Sequence, residues 1–346
     1  MRPSVRWLKG AVSAAFFLVL LRWMRRHDIG AHLRGADPIF LAASFMIVPV
    51  MVSASCLKWQ VLLRAQGHRV PFRSLMAYYL VGYYFSNLLP SMVGGDVVRW
   101  LYAGRHIGSL GHAAASVFLE RVTGIVFLLA MVVVLPALNG GLYRHPAIWI
   151  PAVGAIGLLA SMVVAMSLPA RARSLATAIA DRLELASPSA GTRSAGRLRR
   201  WAVRGLRKAD SFFDRVAVGW AVLRRDRRVL AQVVMLTLAF YALAVLNVWL
   251  AFRTFGPAPS PAHILAVLPT ALTVAMIPIT LGSLGITETS YVFYFGLLGV
   301  SAGHTGLMAL FLRAKLILVG LVGGAVYVLR GHPVRPVDAT AGDMAP

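Results

Sequence analysis

Two interruptions of the same kind divide the apolar sequence of this chain and constrain its fold more than any other feature. One is NLLPSMVGGDVVRW, around Pro90 to Arg99, and the other is IPITLGSLGITET, around Pro278 to Glu288. Each joins a proline, a glycine turn and a single carboxylate. Proline interrupts a helix, and non-helical backbone at membrane depth is tolerated only where protein or a water-filled cavity surrounds it. The breaks therefore favour a substrate-handling membrane core over a passive anchor.

The composition places the chain in a membrane. Of its 346 residues 58% are hydrophobic, and the mean hydropathy of +0.72 exceeds what soluble globular proteins show. A helix needs about 20 apolar residues to cross a hydrocarbon core of about 30 Å. Uncharged runs of that length occur at 38–57, 122–143, 146–170 and 229–252. The shorter run 10–21 is interpreted as an uncleaved first span, because arginines follow where a signal peptide would have its cleavage site.

The net charge of +23 has its explanation in membrane topology. The basic residues flank or interrupt the apolar runs and form no folded soluble domain, which argues against a nucleic-acid partner and favours contact with anionic lipid headgroups. The chain has one cysteine, Cys56, and its nine histidines show no metal-binding spacing. No metal, disulfide or cofactor is therefore expected.

The segment 169–228 carries 15 basic and 5 acidic residues, a net of +10. Basic residues beside membrane spans stay in the cytoplasm, so this segment is predicted to be a cytoplasmic loop. Its later part either lies on the inner leaflet or is a solvated connector, and both readings stay open. The N and C termini are also predicted to be cytoplasmic, in the inner (plasma) membrane of a bacterium.

The loops on both sides of 75–95 are basic, so a single crossing there would place one of them outside. A re-entrant hairpin over 75–105 satisfies both, and the same logic predicts a second hairpin over 263–300 from the opposite face. The predicted fold is an all-α polytopic membrane protein, with about six spanning helices and two re-entrant helical hairpins in an inverted repeat. Residues 1–330 form one domain with halves 1–137 and 146–330, and 331–346 form a disordered tail.

The spacing of charges supports a repeat weakly. Asp96 precedes Arg121 by 25 residues, and Glu288 precedes Arg313 by 25 residues. The prolines stand 6 and 10 residues before their acids, so the two breaks are unequal. The repeat is therefore inferred from the order of elements more than from the motifs.

Three acids lie within or beside the apolar runs: Asp96, Glu120 and Glu288. A charge at the bilayer centre costs about 2.5 to 3.5 kcal/mol, so each should face a cavity or a basic partner. Asp96 and Glu288 follow glycine breaks, and helix capping and an anion cradle are both compatible readings for them. The candidate partners of the acids are Arg99, Arg121, Arg313 and Lys315.

For Arg313 and Lys315 the simplest expectation is a buried ion pair with Glu288, and binding of a lipid phosphate is the sharper alternative. Asn87, an uncharged polar residue at depth, is expected to hydrogen-bond the broken backbone. The aromatic cluster at 78–85 is read either as packing and interfacial residues or as the lining of a lipid groove.

Four pieces of the chain resemble the lysylphosphatidylglycerol synthase transmembrane-region family, also called the flippase-like or UPF0104 family. They are KWQVLL at 58–63, GYYFSNLLPSMVGGDVVR at 82–99, SVFLERVTG at 116–124 and PITLGSLGITE at 278–288. Ser283 and Thr287 depart from the usual pattern, in which glycine and arginine are common. With the basic partners added, the predicted lipid-binding residues are Asn87, Pro90, Gly94, Gly95, Asp96, Arg99, Glu120, Arg121, Gly282, Gly285, Glu288, Arg313 and Lys315.

The resemblance implies a domain that moves lipid across the bilayer, which in bifunctional members moves an aminoacylated phospholipid and is attached to a soluble transferase. The sequence printed here has no transferase domain and no Walker A, nucleophile elbow or dinucleotide motif, so an enzyme is not expected. The expected function is translocation of an anionic, aminoacylated or glycosylated lipid. The alternative is a non-transporting partner that recruits a lipid-modifying enzyme through 169–228, and a membrane-embedded enzyme comes third.

Overall fold

The computed structural model describes residues 35–88, 94–167, 220–221, 223, 225–276 and 285–329. Throughout these ranges the chain forms helices and turns and no strand, which confirms the predicted all-α membrane class. The helices are α1 Pro38–Ala65, α2 Phe72–Leu88, α3 Gly94–Ile107, α4 Leu110–Val134, α5 Pro146–Ser167, α6 Arg227–Phe255, α7 Pro261–Ala275, α8 Ile286–Gly296 and α9 Ala302–Leu329. Two short 3-10 turns, Leu135–Asn139 and Leu142–Arg144, lead from α4 to α5.

Several predictions concern residues outside the described ranges. These are the first span at 10–21, most of the basic segment 169–228 and the tail at 331–346. Three predicted site residues or break residues, Pro90, Pro278 and Gly282, also lie outside the described residues.

Eight of the described helices fall into two length classes, and α5, with 22 residues, lies between them. Four stretches, α1, α4 with its following turn, α6 and α9, are long and apolar enough to cross a membrane. The helices α2, α3, α7 and α8 have 17, 14, 15 and 11 residues, which at 1.5 Å per residue is about 17 to 26 Å. A hydrocarbon core of about 30 Å is therefore too thick for any of these four to cross alone.

The order of long and short helices repeats along the chain. In α1 to α4, as in α6 to α9, a long helix is followed by two short helices and a second long helix. The N-caps repeat as well: Asp37 Oδ1 accepts from two main-chain N–H groups at the start of α1, and Asp226 Oδ1 does the same at the start of α6. Such caps satisfy donors that the first helical turn leaves unpaired.

The packing repeats with the order of the helices. The helix α2 packs on α3 and α3 on α4, while α7 packs on α8 and α8 on α9. Across the halves, α2 lies against α9 and α7 lies against α4. Each short hairpin therefore rests on the last long helix of the other half, so neither half is a separate body.

The equivalent long helices α1 and α6 run antiparallel. The Asp37 N–H at the start of α1 donates to Thr254 O at the end of α6, over 2.9 Å. Toward the other end of the pair, Leu62 of α1 shares a buried cluster with Val233 of α6. Elements that occupy the same place in the two halves thus point in opposite directions, which is the relation that an inverted repeat requires.

The first predicted hairpin corresponds to an antiparallel pair of short helices. Near the open end, the Tyr78 ring lies 5.4 Å from the Tyr102 ring, and Tyr78 Oη lies 3.2 Å from His106 Nδ1. Near the break, the predicted site residue Gly95 of α3 packs directly on the main chain of Gly82 in α2, where a Cβ would clash. The ends of the pair at 72 and 107 therefore lie on the same side.

This packing predicts the result of cysteine labelling. In a background in which the native Cys56 is replaced by serine, Gln66→Cys and His106→Cys should both react with a membrane-impermeant maleimide from the same face, because α2 and α3 return to that face. Ser260→Cys and Ser301→Cys, at the open end of the second pair, should react together from the other face. Labelling of positions 66 and 106 from opposite faces would replace the hairpin with a crossing helix.

Candidate functional site

Arg99 is the centre of a buried polar cluster in the first half of the chain. Its side chain is 4% exposed, and its guanidinium lies between two aromatic rings, 4.5 Å from the centroid of Trp59 and 3.5 Å from that of Tyr79. It donates from Nη1 to Asp96 Oδ1 at 3.1 Å and from Nη2 to Glu120 Oε2. Stacking and charge pairing together hold this arginine inside the protein.

Glu120 joins three helices at the same cluster. Its carboxylate accepts from Tyr79 Oη of α2 and from Arg99 of α3, and its main-chain oxygen accepts from Lys58 Nζ of α1 at 3.3 Å. Both Glu120 and Lys58 are buried. Because a buried charge is costly unless it is paired and hydrogen-bonded, these contacts fix how α1, α2, α3 and α4 meet.

Arg121 is the part of the cluster that faces outward. It donates from Nε to Asp96 Oδ2 at 2.7 Å and from Nη2 to Asp96 Oδ1 at 2.9 Å, the two-pronged pairing that suits a guanidinium and a carboxylate. Its side chain is 55% exposed, whereas that of Asp96 is 13% exposed. The adjacent Glu120 and Arg121 thus point to different sides of α4 and bind different partners.

The cluster carries one more positive charge than negative. Lys58, Arg99 and Arg121 supply three positive charges, and Asp96 and Glu120 supply two negative ones. Asp96 also lies in the first turn of α3, where the helix dipole favours negative charge. The excess charge and the outward-facing guanidinium make this site able to accept a single anionic group.

The second half contains a simpler ion pair at the equivalent place. Arg313 Nε donates to Glu288 Oε1 at 2.7 Å, and Glu288 Oε2 accepts from Gly285 N–H at 2.8 Å at the start of α8. Gly285 has a φ of +83°, a conformation that favours glycine. The predicted cap and the predicted pair with Arg313 are both confirmed, and the pair adds no net charge.

The expected pairing of Lys315 with Glu288 is wrong. Lys315 Nζ instead donates to Ser44 Oγ at 2.7 Å, to Ser44 O at 3.2 Å and to Asn247 Oδ1 at 2.5 Å. Lys315 follows Arg313 by two residues, which on a helix is a rotation of about 200°. The two side chains therefore lie on opposite faces of α9, and Lys315 faces α1 and α6.

The expected bond of Asn87 to the broken backbone concerns residues 89–93, which lie outside the described ranges, and within those ranges Asn87 contacts the last helix. Its Nδ2 donates to Leu316 O of α9 at 3.1 Å, so the bond seen in the described residues joins the first hairpin to the last helix. Gly320 of α9 comes close to the same amide, and a Cβ there would clash with it. The predicted site residue Gly94 is buried at the first position of α3.

Five contributors to these sites were missing from the predicted set. They are Lys58 beside Glu120, Trp59 and Tyr79 around Arg99, and Ser44 and Asn247 around Lys315. Asn247 had a signal in the sequence, because it is a polar side chain inside the apolar run 229–252 and such residues usually have partners. The aromatic residues had no distinguishing signal among the many on these helices.

Comparison with known proteins identifies relatives. The sequence profile described as "Lysylphosphatidylglycerol synthase TM region" matches residues 6–324. Two relatives from Methanothermobacter thermautotrophicus, each described as a UPF0104 membrane protein, are 24% identical over 287 residues and 27% identical over 286 residues. The first match covers 80% of this chain and 79% of the relative, and the second covers 79% and 80%. No solved structure matches the chain significantly.

The different burial of the two neighbouring residues on α4 predicts unequal effects on stability. Glu120→Gln should lower the free energy of unfolding by about 3 to 5 kcal/mol, because it removes one of the two carboxylate charges that pair with buried Arg99. Arg121→Gln should lower it by about 1 kcal/mol or less, because the Arg121 side chain is 55% exposed at the surface of the protein and its loss leaves Asp96 paired with Arg99. Unfolding by sodium dodecyl sulfate in mixed micelles measures both. A larger loss for Arg121→Gln would show that Arg121 is the structural residue.

Proposed function

The chain belongs to the lysylphosphatidylglycerol synthase transmembrane-region family, and from this premise we propose that it moves a lipid with an anionic headgroup across a membrane. The observation that carries the proposal is the geometry of Arg121. Two of its nitrogens, Nε and Nη2, bind Asp96, and among the described residues no acceptor for Nη1 is present. An arginine that is half exposed and whose orientation is fixed by a buried carboxylate can donate its remaining N–H groups to a phosphate oxygen.

The rest of the cluster keeps this guanidinium in position. Arg99 binds the same carboxylate that binds Arg121, since both donate to Asp96 Oδ1. Glu120 in turn binds Arg99, so the exposed arginine rests on a chain of buried contacts. A preorganised site loses less conformational freedom when the ligand arrives.

Charge supports a headgroup with one net negative charge at the binding site. The cluster has an excess of one positive charge, so a bound phosphodiester would bring it to neutrality. A neutral assembly costs less free energy in a low-dielectric membrane than an isolated charge does. An aminoacyl or glycosyl group beyond the phosphate is compatible with this balance, and the acyl chains would stay in the surrounding lipid.

The proposed route uses the relation between the halves. The antiparallel α1 and α6 and the repeated order of helices support an inverted repeat, with the two short-helix pairs entering from opposite faces. Each pair rests on the last long helix of the other half, so a rocking of one half against the other would move both hairpins together. Alternating access of this type is general for inverted-repeat transporters.

The proposed setting is the cytoplasmic membrane, with the basic segment 169–228 and both termini inside. That segment also motivates the second candidate function, a non-transporting partner that recruits a lipid-modifying enzyme. Where the segment returns to the membrane, Trp220 and Leu223 pack with Leu62 of α1 and Leu119 of α4. Its attachment to the helix bundle would let a recruited partner act beside the membrane.

A lipid-flipping assay tests the proposal. Proteoliposomes containing fluorescent NBD-labelled phosphatidylglycerol are treated with dithionite, which bleaches the outer leaflet only. The wild-type protein should expose inner-leaflet probe, and Arg121→Gln should slow this by about ten- to a hundredfold, because a charge-assisted hydrogen bond is worth about 1.5 to 3 kcal/mol. Arg253→Gln is the matched control, because Arg253 also lies on a long helix but stacks on Phe40, away from the cluster.

A deletion in the basic segment separates the two candidate functions. Deletion of about residues 186–208 should leave flipping mostly intact in a translocator, whereas a recruiter would show no flipping and would lose its partner on deletion. Equal bleaching with and without protein would refute translocation of this lipid. Equal rates for Arg121→Gln and the wild type would refute the assigned site.

A further inference from the structure

Lys315 is a buried cation that the proposed headgroup site does not use. It lies at the middle of α9 and is 3% exposed. Its three donors meet three uncharged oxygens, Ser44 O, Ser44 Oγ and Asn247 Oδ1, and its Nζ lies 4.8 Å from the centroid of the Phe311 ring. An ionisable side chain at this depth is costly and usually has a functional role.

The ion pairs found in the described residues do not include Lys315. The acid that was expected to pair with it, Glu288 of α8, is engaged by Arg313 and by Gly285 N–H. The other titratable or charged groups on the helices around Lys315 are Asp37, which caps α1, Cys56, Lys58 and Arg64 of α1, Arg73, Tyr78, Tyr79, Tyr83 and Tyr84 of α2, Arg227, Arg228, Tyr241 and Arg253 of α6, Tyr291 and Tyr294 of α8, and His304 and Tyr327 of α9.

The three oxygens around Lys315 Nζ, Ser44 O, Ser44 Oγ and Asn247 Oδ1, form what we call the lysine cage. This cage can hydrogen-bond both the charged and the neutral form of the amine. With an ammonium, all three oxygens accept. With a neutral amine, which has one lone pair and two N–H groups, either the Ser44 hydroxyl donates to the lone pair or the Asn247 amide rotates and donates its NH₂ group to it, and the amine N–H groups donate to the oxygens that remain. A carboxylate offers no such choice, because it only accepts when ionised. The other buried lysine, Lys58, differs from Lys315 because it contacts an acidic residue: its Nζ donates to the main-chain oxygen of Glu120.

The cage lies where the two halves meet. Ser44 belongs to α1 of the first half, and Asn247 belongs to the antiparallel α6 of the second half, while Lys315 itself is on α9. Coupling-ion sites of inverted-repeat transporters lie near the bilayer midplane at such junctions. Because the contacts of a protonated and a neutral lysine differ, its charge state biases how the three helices pack.

We propose that Lys315 binds and releases one proton in each transport cycle and so couples lipid movement to the proton gradient. In the loaded state the ammonium donates to Ser44 and Asn247. On release, one N–H bond of the ammonium breaks, the nitrogen keeps the electron pair, and the proton leaves to water on one side of the membrane. The amine later takes a proton from water on the other side. This inference rests on the proposed function for its transport step only.

A measurement of the lysine itself tests the proton site without a transported lipid. The chain has four lysines, Lys9, Lys58, Lys208 and Lys315, so protein labelled with 13Cε-lysine and placed in nanodiscs gives four signals that single arginine substitutions assign. The Lys315 signal should change reversibly between the ammonium and amine positions within the pH range where the protein stays folded. A Lys315 signal that stays at the ammonium position throughout that range would overturn the proposal.

Asn247→Asp tests most directly whether the cage controls the charge of Lys315, because it keeps the shape of the cage and adds a carboxylate beside the ammonium. It should hold Lys315 in the ammonium form over the same pH range and so remove the pH-dependent change of the signal. If the change persists in this variant as in the wild type, the Asn247 cage does not control the proton, and the proposal is wrong.

Transport under a gradient tests the coupling. With the membrane potential clamped, a gradient of one pH unit should shift the steady-state leaflet ratio of NBD-phosphatidylglycerol by up to about tenfold, because one proton then supplies about 1.36 kcal/mol. Lys315→Gln and Asn247→Asp should lose this shift, whereas Lys208→Arg should keep it. If the probe moves between leaflets but its leaflet ratio does not depend on the pH gradient, the coupling is refuted and the proposed translocation is not. If the wild type moves no probe under any gradient, translocation of this lipid fails, and the lysine signal still decides the proton site.

Discussion

The arrangement of the first half depends on the need to pair charges that lie away from water. Arg99 is enclosed by Trp59 and Tyr79 and reaches two carboxylates at once. An unpaired charge in such a place costs several kcal/mol, so α2, α3 and α4 can pack only where these partners meet. The same contacts leave Arg121 facing outward. The structural requirement to satisfy buried charge thereby creates a positioned cation that a lipid headgroup can bind.

The two halves use similar helices for different purposes. In each, an acid in the first turn of the second short helix pairs with an arginine 25 residues later. The first half surrounds its pair with further charges and keeps an excess of one. The second half has a neutral pair, and its extra cation, Lys315, turns to the junction between the halves instead. We interpret the first half as the binding half and the junction as the place where an energy source acts.

Much of this could be predicted from the sequence, and the limits have physical reasons. The breaks, the acids and the pair Glu288–Arg313 follow from the cost of charge in a membrane, whereas the sequence leaves open which of Arg99 and Arg121 pairs with which acid of the first half. The partners of Lys315 do not, because they depend on which face of α9 each side chain occupies and on which helix of the other half lies there. Trp59 and Tyr79 could not be singled out, because nothing local distinguishes an aromatic that stacks on arginine from one that faces lipid. The inverted orientation of the repeat stays a prediction that the antiparallel α1 and α6 support.

The most direct test of the central claim is the position of the lipid phosphate relative to Arg121. A high-resolution cryo-electron microscopy structure of the protein in nanodiscs of phosphatidylglycerol would show it. The account predicts phosphate density within hydrogen-bonding distance of Arg121 Nη1, with the Asp96 pair intact, and loss of that density in Arg121→Gln. Acyl-chain density against Arg121, with an ordered phosphate bound elsewhere in the bundle, would contradict it.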